Sequence, residues 1–142
     1  MDKPSRRTTA ATVRATVPFL SGDVQSALLE GELTFDPSDP YAVAMHLAAK
    51  SGTVTWTFAR ELLADGRYEP VGDGDVQVWP FLSYTGNAVV IIELSSPEGN
   101  ALLQAPARDV HDFVASTFKI VPAGEESTHL ALDAMISQLL AT

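Results

Sequence analysis

The side chains that could perform catalysis or bind a metal are few and widely spaced in this sequence. The three histidines are His46, His111 and His129, and no two of them have the i, i+4 spacing that presents zinc ligands on a helix. There is no cysteine, which excludes disulfides and thiolate metal sites. A GxSxG nucleophile elbow is also missing. These residues form no recognisable catalytic set, and we predict neither a metal nor a cofactor.

The run Gly72-Asp73-Gly74-Asp75 contains residue types found in phosphate-binding and calcium-binding loops. It lacks the third glycine of GxGxxG, the lysine of a P-loop and the ligand spacing of an EF-hand. The run therefore predicts a tight polar turn that leads into a strand.

Aromatic side chains are a second candidate feature, because a row of them can stack against the bases of single-stranded nucleic acid. Such surfaces place lysine or arginine between the aromatic rings. In residues 56–84, where the candidate aromatic residues lie, the only basic residues are Arg60 and Arg67, among several acids. We therefore expect the aromatics to serve the core or to bind a protein partner. The candidate partner-binding residues are Trp56, Arg60, Trp79 and Tyr84.

The net charge of −9 is distributed unevenly along the chain. Residues 1–14 carry a charge of +3, and residues 15–142, with five basic and seventeen acidic groups, carry −12. Neutralising nucleic-acid phosphates requires clustered lysine and arginine, so the acidic part disfavours nucleic acid as a ligand. We predict a flexible basic tail over residues 1–8 and one domain over residues 9–142.

The composition is that of an ordered protein with one hydrophobic core: 142 residues, 46% apolar and 19% charged. The longest aliphatic run, Ala88–Ile92, is far too short to span a membrane. The N-terminal region is a poor match to a signal peptide, which predicts a cytoplasmic protein.

Alternation of apolar and polar residues predicts seven strands. One of them, Ala88–Leu94, is apolar without interruption and is expected to be buried on both faces. Gly31 marks a candidate β-bulge. Residues 96–99 (Ser-Pro-Glu-Gly) predict a type I turn between the last two strands. The strands cover residues 9–20, 28–35, 41–48, 54–58, 76–82, 88–94 and 101–105.

Three helices are predicted from helical spacing and stop signals. A short one covers residues 59–65 and ends at Gly66, and a second begins at Pro106 as its first helical residue. The third is an amphipathic closing helix that carries Leu132, Met135, Ile136, Leu139 and Leu140. The fold class is therefore α+β, with a mostly antiparallel sheet of about seven strands and helices on one side or end.

Four long motifs occur along the chain: DPYAV (39–43), WTFARELLADG (56–66), GDGDVQVWP (72–80) and SSPEGNALLQAPARDV (95–110). In their order and separation they resemble the SsgA-like proteins, actinobacterial factors that place division septa during sporulation. The resemblance covers about residues 36–142 and is greatest to the SsgB branch of the family.

The resemblance implies a non-enzymatic regulator of septum-site selection, located in the cytoplasm at the division septum. It implies recruitment of the tubulin-like division protein FtsZ, cooperation with an SsgA-type partner, and assembly as a homo-oligomer, with a trimer as the candidate form. It also implies a fold similar to the Whirly proteins, which bind single-stranded nucleic acid, so nucleic-acid binding is the alternative function. The family has no catalytic residues to transfer. Its motif residues are expected to be structural first: Trp56, Phe58, Arg60, Trp79 and Pro80.

Overall fold

The computed structural model describes residues 12–22, 27–49 and 52–141. The tail predicted over residues 1–8, and the first residues of the first predicted strand, lie outside these ranges.

The described residues form eight strands and three helices, which confirms the predicted α+β class. In chain order the elements are β1 Val13–Ser21, β2 Ala27–Phe35, β3 Ala42–Ala49, β4 Gly52–Ala59, α1 Arg60–Gly66, β5 Val71–Asp73, β6 Val76–Leu82, β7 Ala88–Ser96, β8 Gly99–Pro106, α2 Ala107–Ile120 and α3 Glu126–Ala141.

All eight strands belong to one antiparallel sheet with the order β4-β3-β2-β1-β8-β7-β6-β5. The two four-stranded halves meet at β1 and β8, which share only the register pairs Leu20–Gln104 and Ser21–Leu103. If that register continued, Pro18 would face Pro106, and neither proline has an N–H to donate to a ladder. The pairing stops there and the two halves of the sheet diverge.

The core lies on the side of the sheet that is covered by α1 and α2, where alternate strand residues meet the helices. Helix α2 packs against β1, β7 and β8, and its buried residues include Val110, Phe113 and Val114. In β7 the residues Val90 to Ile92 are all buried, as expected for a strand covered on both faces. The fully buried strand residues include Val17, Phe19, Leu33, Phe35, Met45, Val78, Ile92 and Leu103.

Two expectations about glycines need correction. The tight polar turn into β6 forms at Gly74 and Asp75, with Gly74 at φ +62°, but Gly72 and Asp73 belong to an eighth strand, β5. At Gly31 the pairing of β1 with β2 continues without a bulge. A Cβ atom at Gly31 would collide with the ring of Phe19, so this glycine provides space for a buried aromatic side chain.

The turn between the last two strands is confirmed, whereas the two helices that follow it differ in part from expectation. The turn at residues 96–99 is confirmed, with Ser96 Oγ accepting a hydrogen bond from the backbone N–H of Glu98. Pro106 is the last residue of β8 and the N-cap of α2, so the helix proper begins at Ala107. Helix α3 forms where it was predicted, but its apolar residues are spread around the helix rather than gathered on one face, and it does not close the domain, because none of its residues is buried.

A buried arginine connects the three helices at one end of the molecule. Arg60, the first residue of α1, is only 2% exposed. Its Nη1 donates to the carbonyl oxygens of Thr117 and Val121 at 3.2 and 2.7 Å, and its Nη2 donates to Glu126 Oε2 at 2.8 Å. The rings of Phe35 and Phe118 lie 4.9 and 4.5 Å from the guanidinium carbon. These contacts tie the start of α1 to the end of α2 and the start of α3.

We expect Arg60→Met to lower the free energy of unfolding by about 3 kcal/mol, because it removes the buried guanidinium that donates to the Glu126 carboxylate and to two carbonyl oxygens. Urea unfolding followed by circular dichroism measures the change. Arg108→Met removes an exposed arginine and serves as the control, with a shift within about 0.5 kcal/mol. Equal shifts for both variants would contradict a structural role for the buried guanidinium.

The same ion pair predicts a dependence of stability on acid. The hydrogen bond from Arg60 holds the pKa of the Glu126 carboxyl below its ordinary value of 4.5. The folded chain therefore binds this proton less readily than the unfolded chain, so the pair stabilises the fold above about pH 4.5 and the contribution disappears as the pH falls through the lowered pKa. Wild type should consequently exceed Glu126→Gln in stability at pH 7, and the difference should shrink below pH 4.5. A difference that stays the same at pH 7 and below pH 4.5 would contradict the ion pair as its source.

Candidate functional site

The outward face of the sheet is divided into a polar half and an apolar half. Along β1 to β4 the outward residues include Arg14, Glu32, Thr34, His46 and Thr55. Around the end of β1 and along β6 to β8, mostly apolar side chains take the outward positions. Those that are exposed or partly exposed include Pro18, Leu20, Leu28, Trp79, Phe81 and Val89. Because such patches mark interaction surfaces, the apolar half is the candidate site.

The polar half is a set of satisfied cross-strand contacts. The ring of His46 lies between two hydroxyl groups, with Nε2 3.0 Å from Thr34 Oγ1 and Nδ1 2.9 Å from Thr55 Oγ1. Arg14 donates to Glu32 at 3.2 Å. Since a hydroxyl can donate or accept, both nitrogens of the histidine are paired in either tautomer. This arrangement accounts for His46 without a ligand.

A groove of about 620 Å³ opens in the apolar half, where β1 and β8 diverge. Leu20 and Leu28 form one wall, and Val89 lies on the other side. The two prolines that end the β1–β8 pairing, Pro18 and Pro106, also line it. The same break in the sheet therefore creates the groove and supplies part of its apolar surface.

The loop between β6 and β7 borders the groove and presents Tyr84 to solvent with its side chain fully exposed. Ser83 and Asn87 close the loop through a backbone hydrogen bond of 2.9 Å, and the Ser83 hydroxyl accepts from the N–H of Asn87 at 3.2 Å. Gly86, at φ +83°, donates to the carbonyl oxygen of Ser83. An aromatic side chain on a loop that is already hydrogen-bonded loses little entropy on binding, which favours it as an interface anchor.

The structure separates the four residues predicted to bind a partner. Trp79, half-buried on the outward face of β6 opposite Ile91, and Tyr84 both belong to the apolar half. Trp56 faces the core side of β4 and lines a smaller cavity of about 310 Å³ elsewhere on the sheet. Arg60 is the buried arginine at the helix junction, and its side chain is out of reach of a partner.

Sequence reasoning missed the aliphatic residues of the groove. Leu20 and Leu28 face each other across β1 and β2, on the side where a half-buried strand normally carries polar residues. Phe81 and Leu82 are both largely exposed at the end of β6. The sequence did contain a signal of an apolar outward face. Where two consecutive residues of a strand are both apolar, one of them must face outward.

A pocket of about 410 Å³ adjoins the groove and contains basic side chains. Arg67 is held in place by three contacts. Its Nε donates to the carbonyl oxygen of Ala64 at 2.8 Å, its Nη1 lies 2.9 Å from His111 Nδ1, and its guanidinium carbon lies 4.7 Å from the ring centroid of Tyr68. Because arginine can only donate, His111 Nδ1 is the acceptor. Arg108 lies between this pocket and the groove and lines both.

Within residues 12–22, 27–49 and 52–141, no group of three or more histidine, aspartate or glutamate side chains could hold a metal ion. None of the helices in these ranges is long and apolar enough to cross a membrane.

The known proteins to which this chain is similar all carry related descriptions. Residues 29–126 match the family model described as Streptomyces sporulation and cell division protein, SsgA. The chain is 51% identical over 111 residues to the sporulation-specific cell division protein SsgB of Streptomyces coelicolor, covering 77% of this chain and 80% of that protein. It is 39% identical over 138 residues to SsgB of Salinispora tropica, covering 95% and 96% of the two chains.

A solved structure agrees with these matches. The crystal structure of the SsgA-like sporulation-specific cell division protein from Thermobifida fusca superposes with a TM-score of 0.81 at 33% identity, covering 90% of this chain and 95% of that one. None of these relatives is named as a nucleic-acid-binding protein, so the alternative function is not supported. The chain belongs to the SsgA family of sporulation and cell division proteins and is most similar to its SsgB branch.

Proposed function

We propose that this chain selects septum sites in sporulation-linked cell division by binding FtsZ through the apolar half of its outward face. The observation that carries the proposal is the combination of the groove with Tyr84, an aromatic side chain fully exposed on a hydrogen-bonded loop beside it. The protein works without catalysing a reaction, in the cytoplasm at the division septum, together with an SsgA-type partner.

Protein is the ligand that best fits this surface. Its exposed side chains are aliphatic and aromatic, the composition of the centre of a protein interface. Trp79 and Tyr84 are of the residue types that most often dominate binding energy. The charge of −12 on residues 15–142 repels polyanions, so a nucleic acid would be disfavoured on approach.

The chain acts as a homo-oligomer, with three subunits as the proposed number, and α3 is the contact. Leu132, Met135 and Ile136 are each about half exposed, and Leu140 is 71% exposed. Beyond its first turn, α3 carries a single acid, Asp133, and no lysine or arginine. A helix with apolar residues around its circumference normally lies in a core, and here a core would form between copies.

We expect Tyr84→Ala to reduce binding to FtsZ about thirtyfold, because truncating a central aromatic anchor typically costs about 2 kcal/mol. Co-sedimentation with host FtsZ polymers measures the binding. Tyr41→Ala removes an exposed tyrosine that directly precedes β3, away from the loop between β6 and β7 that borders the groove, and should bind like wild type. The proposal fails if wild type does not sediment with FtsZ, or if both variants bind equally.

We expect the purified chain to have a mass several times 15.2 kDa in light scattering coupled to size-exclusion chromatography, and Ile136→Glu to shift it towards 15.2 kDa. The added carboxylate would have to be buried between helices, which is strongly unfavourable. Ser137→Glu places the same group at the neighbouring position as a matched control. A monomeric wild type, or an oligomer unaffected by Ile136→Glu, would refute α3 as the contact.

A further inference from the structure

We propose that the groove and the adjoining basic pocket together receive an acidic segment of the protein partner, with an apolar side chain in the groove and a carboxylate bound by Arg67 and Arg108. The proposal rests on the proposed function, in which this face is the partner-binding site. It adds the chemistry of the partner segment and the place where each part of it lies.

The groove and the pocket are adjacent. Ala107 and Arg108, the first two residues of α2, line both of them. The lining of the groove includes the aliphatic side chains of Leu20, Leu28 and Val89, whereas the pocket contains the two arginines Arg67 and Arg108. A ligand that lies along both therefore passes from aliphatic side chains to two guanidinium groups within a short length of chain.

Charge identifies the polar part of the ligand. Of the basic residues described after β1, Arg60 is buried and Lys119 lies near the far end of α2. The remaining two, Arg67 and Arg108, both line this one pocket. On a surface that is otherwise strongly acidic, a local pair of arginines selects an anionic group.

The two guanidinium groups differ in how they are held. Arg67 is oriented by Ala64, His111 and the ring of Tyr68, so its planar group is fixed before a ligand arrives. Arg108 is exposed, and its side chain forms neither a hydrogen bond nor an ion pair with the part of the chain that the structure describes. The one acid in the pocket, Asp112, leaves the lining positively charged overall.

A carboxylate on a protein segment suits this arrangement better than other anions. A guanidinium binds a carboxylate through two parallel hydrogen bonds, and a single such contact satisfies one acidic side chain. A nucleic acid would present many phosphates to two arginines and to a repelling acidic surface. Only a ligand with an apolar portion next to its anion uses the groove as well.

The test is a selection of random dodecapeptides on the immobilised full-length chain, followed by fluorescence anisotropy with the enriched peptide. We expect enriched peptides to carry aspartate or glutamate next to large apolar residues. Arg108→Glu should weaken binding of the enriched peptide about tenfold or more, because it replaces attraction by repulsion. Lys119→Glu makes the same charge change elsewhere on α2 and should leave binding unchanged. A peptide with amides in place of its carboxylates should lose affinity as Arg108→Glu does.

The inference is overturned if no acidic peptides are enriched, or if Arg108→Glu and Lys119→Glu bind the peptide equally. These outcomes are independent of co-sedimentation with FtsZ. If FtsZ binds wild type and Arg108→Glu alike, the proposed function stands and the acidic segment is refuted. If acidic peptides bind in a manner that depends on Arg108 but FtsZ does not bind, FtsZ is refuted as the partner while the site remains.

Discussion

The buried guanidinium of Arg60 is the interaction on which the arrangement of the helices depends. A cation at this depth persists only if its donors are satisfied, and the partners come from the last turn of α2, its C-cap and the first turn of α3. The same contacts fix the C-terminal end of α2 relative to α1, and α2 begins at the groove. An ion pair at one end of α2 therefore helps to position Arg108 at the other end, although the two arginines belong to different surfaces.

A second constraint comes from two prolines. Pro18 and Pro106 are 88 positions apart in the chain, yet each would face the other if β1 and β8 continued to pair. Because neither has an N–H, the sheet gains nothing by closing at this point, and the gap becomes the groove. The groove is thus a consequence of the missing pairing between β1 and β8. Its walls include strand residues whose outward side chains are apolar.

These two constraints explain which features were predictable from the sequence. Alternation is a local property, so seven strands and three helices were found, and only the three-residue β5 was missed. The groove depends on the meeting of β1 with β8, which no local pattern encodes. Trp56 and Trp79 illustrate the limit, because residues of one type in similar strands lie on opposite faces. The apolar spacing of α3 predicted a helix, which forms, but it also predicted that this helix closes the domain, whereas none of its residues is buried.

Because the chain is strongly acidic, charge affects the surface of α3 and the groove in different ways. Repulsion between bodies of charge −12 opposes association of copies through most of the surface, so self-association is favoured only where charge is nearly absent, as along α3. The same negative charge disfavours anionic ligands over most of the surface. Beside the groove, the two arginines of the pocket are a local exception that attracts an anionic group. A partner segment must then supply both a carboxylate and an apolar side chain, because either alone gains only part of the site. Selectivity for such a segment follows from the charge that surrounds the groove as much as from the groove itself.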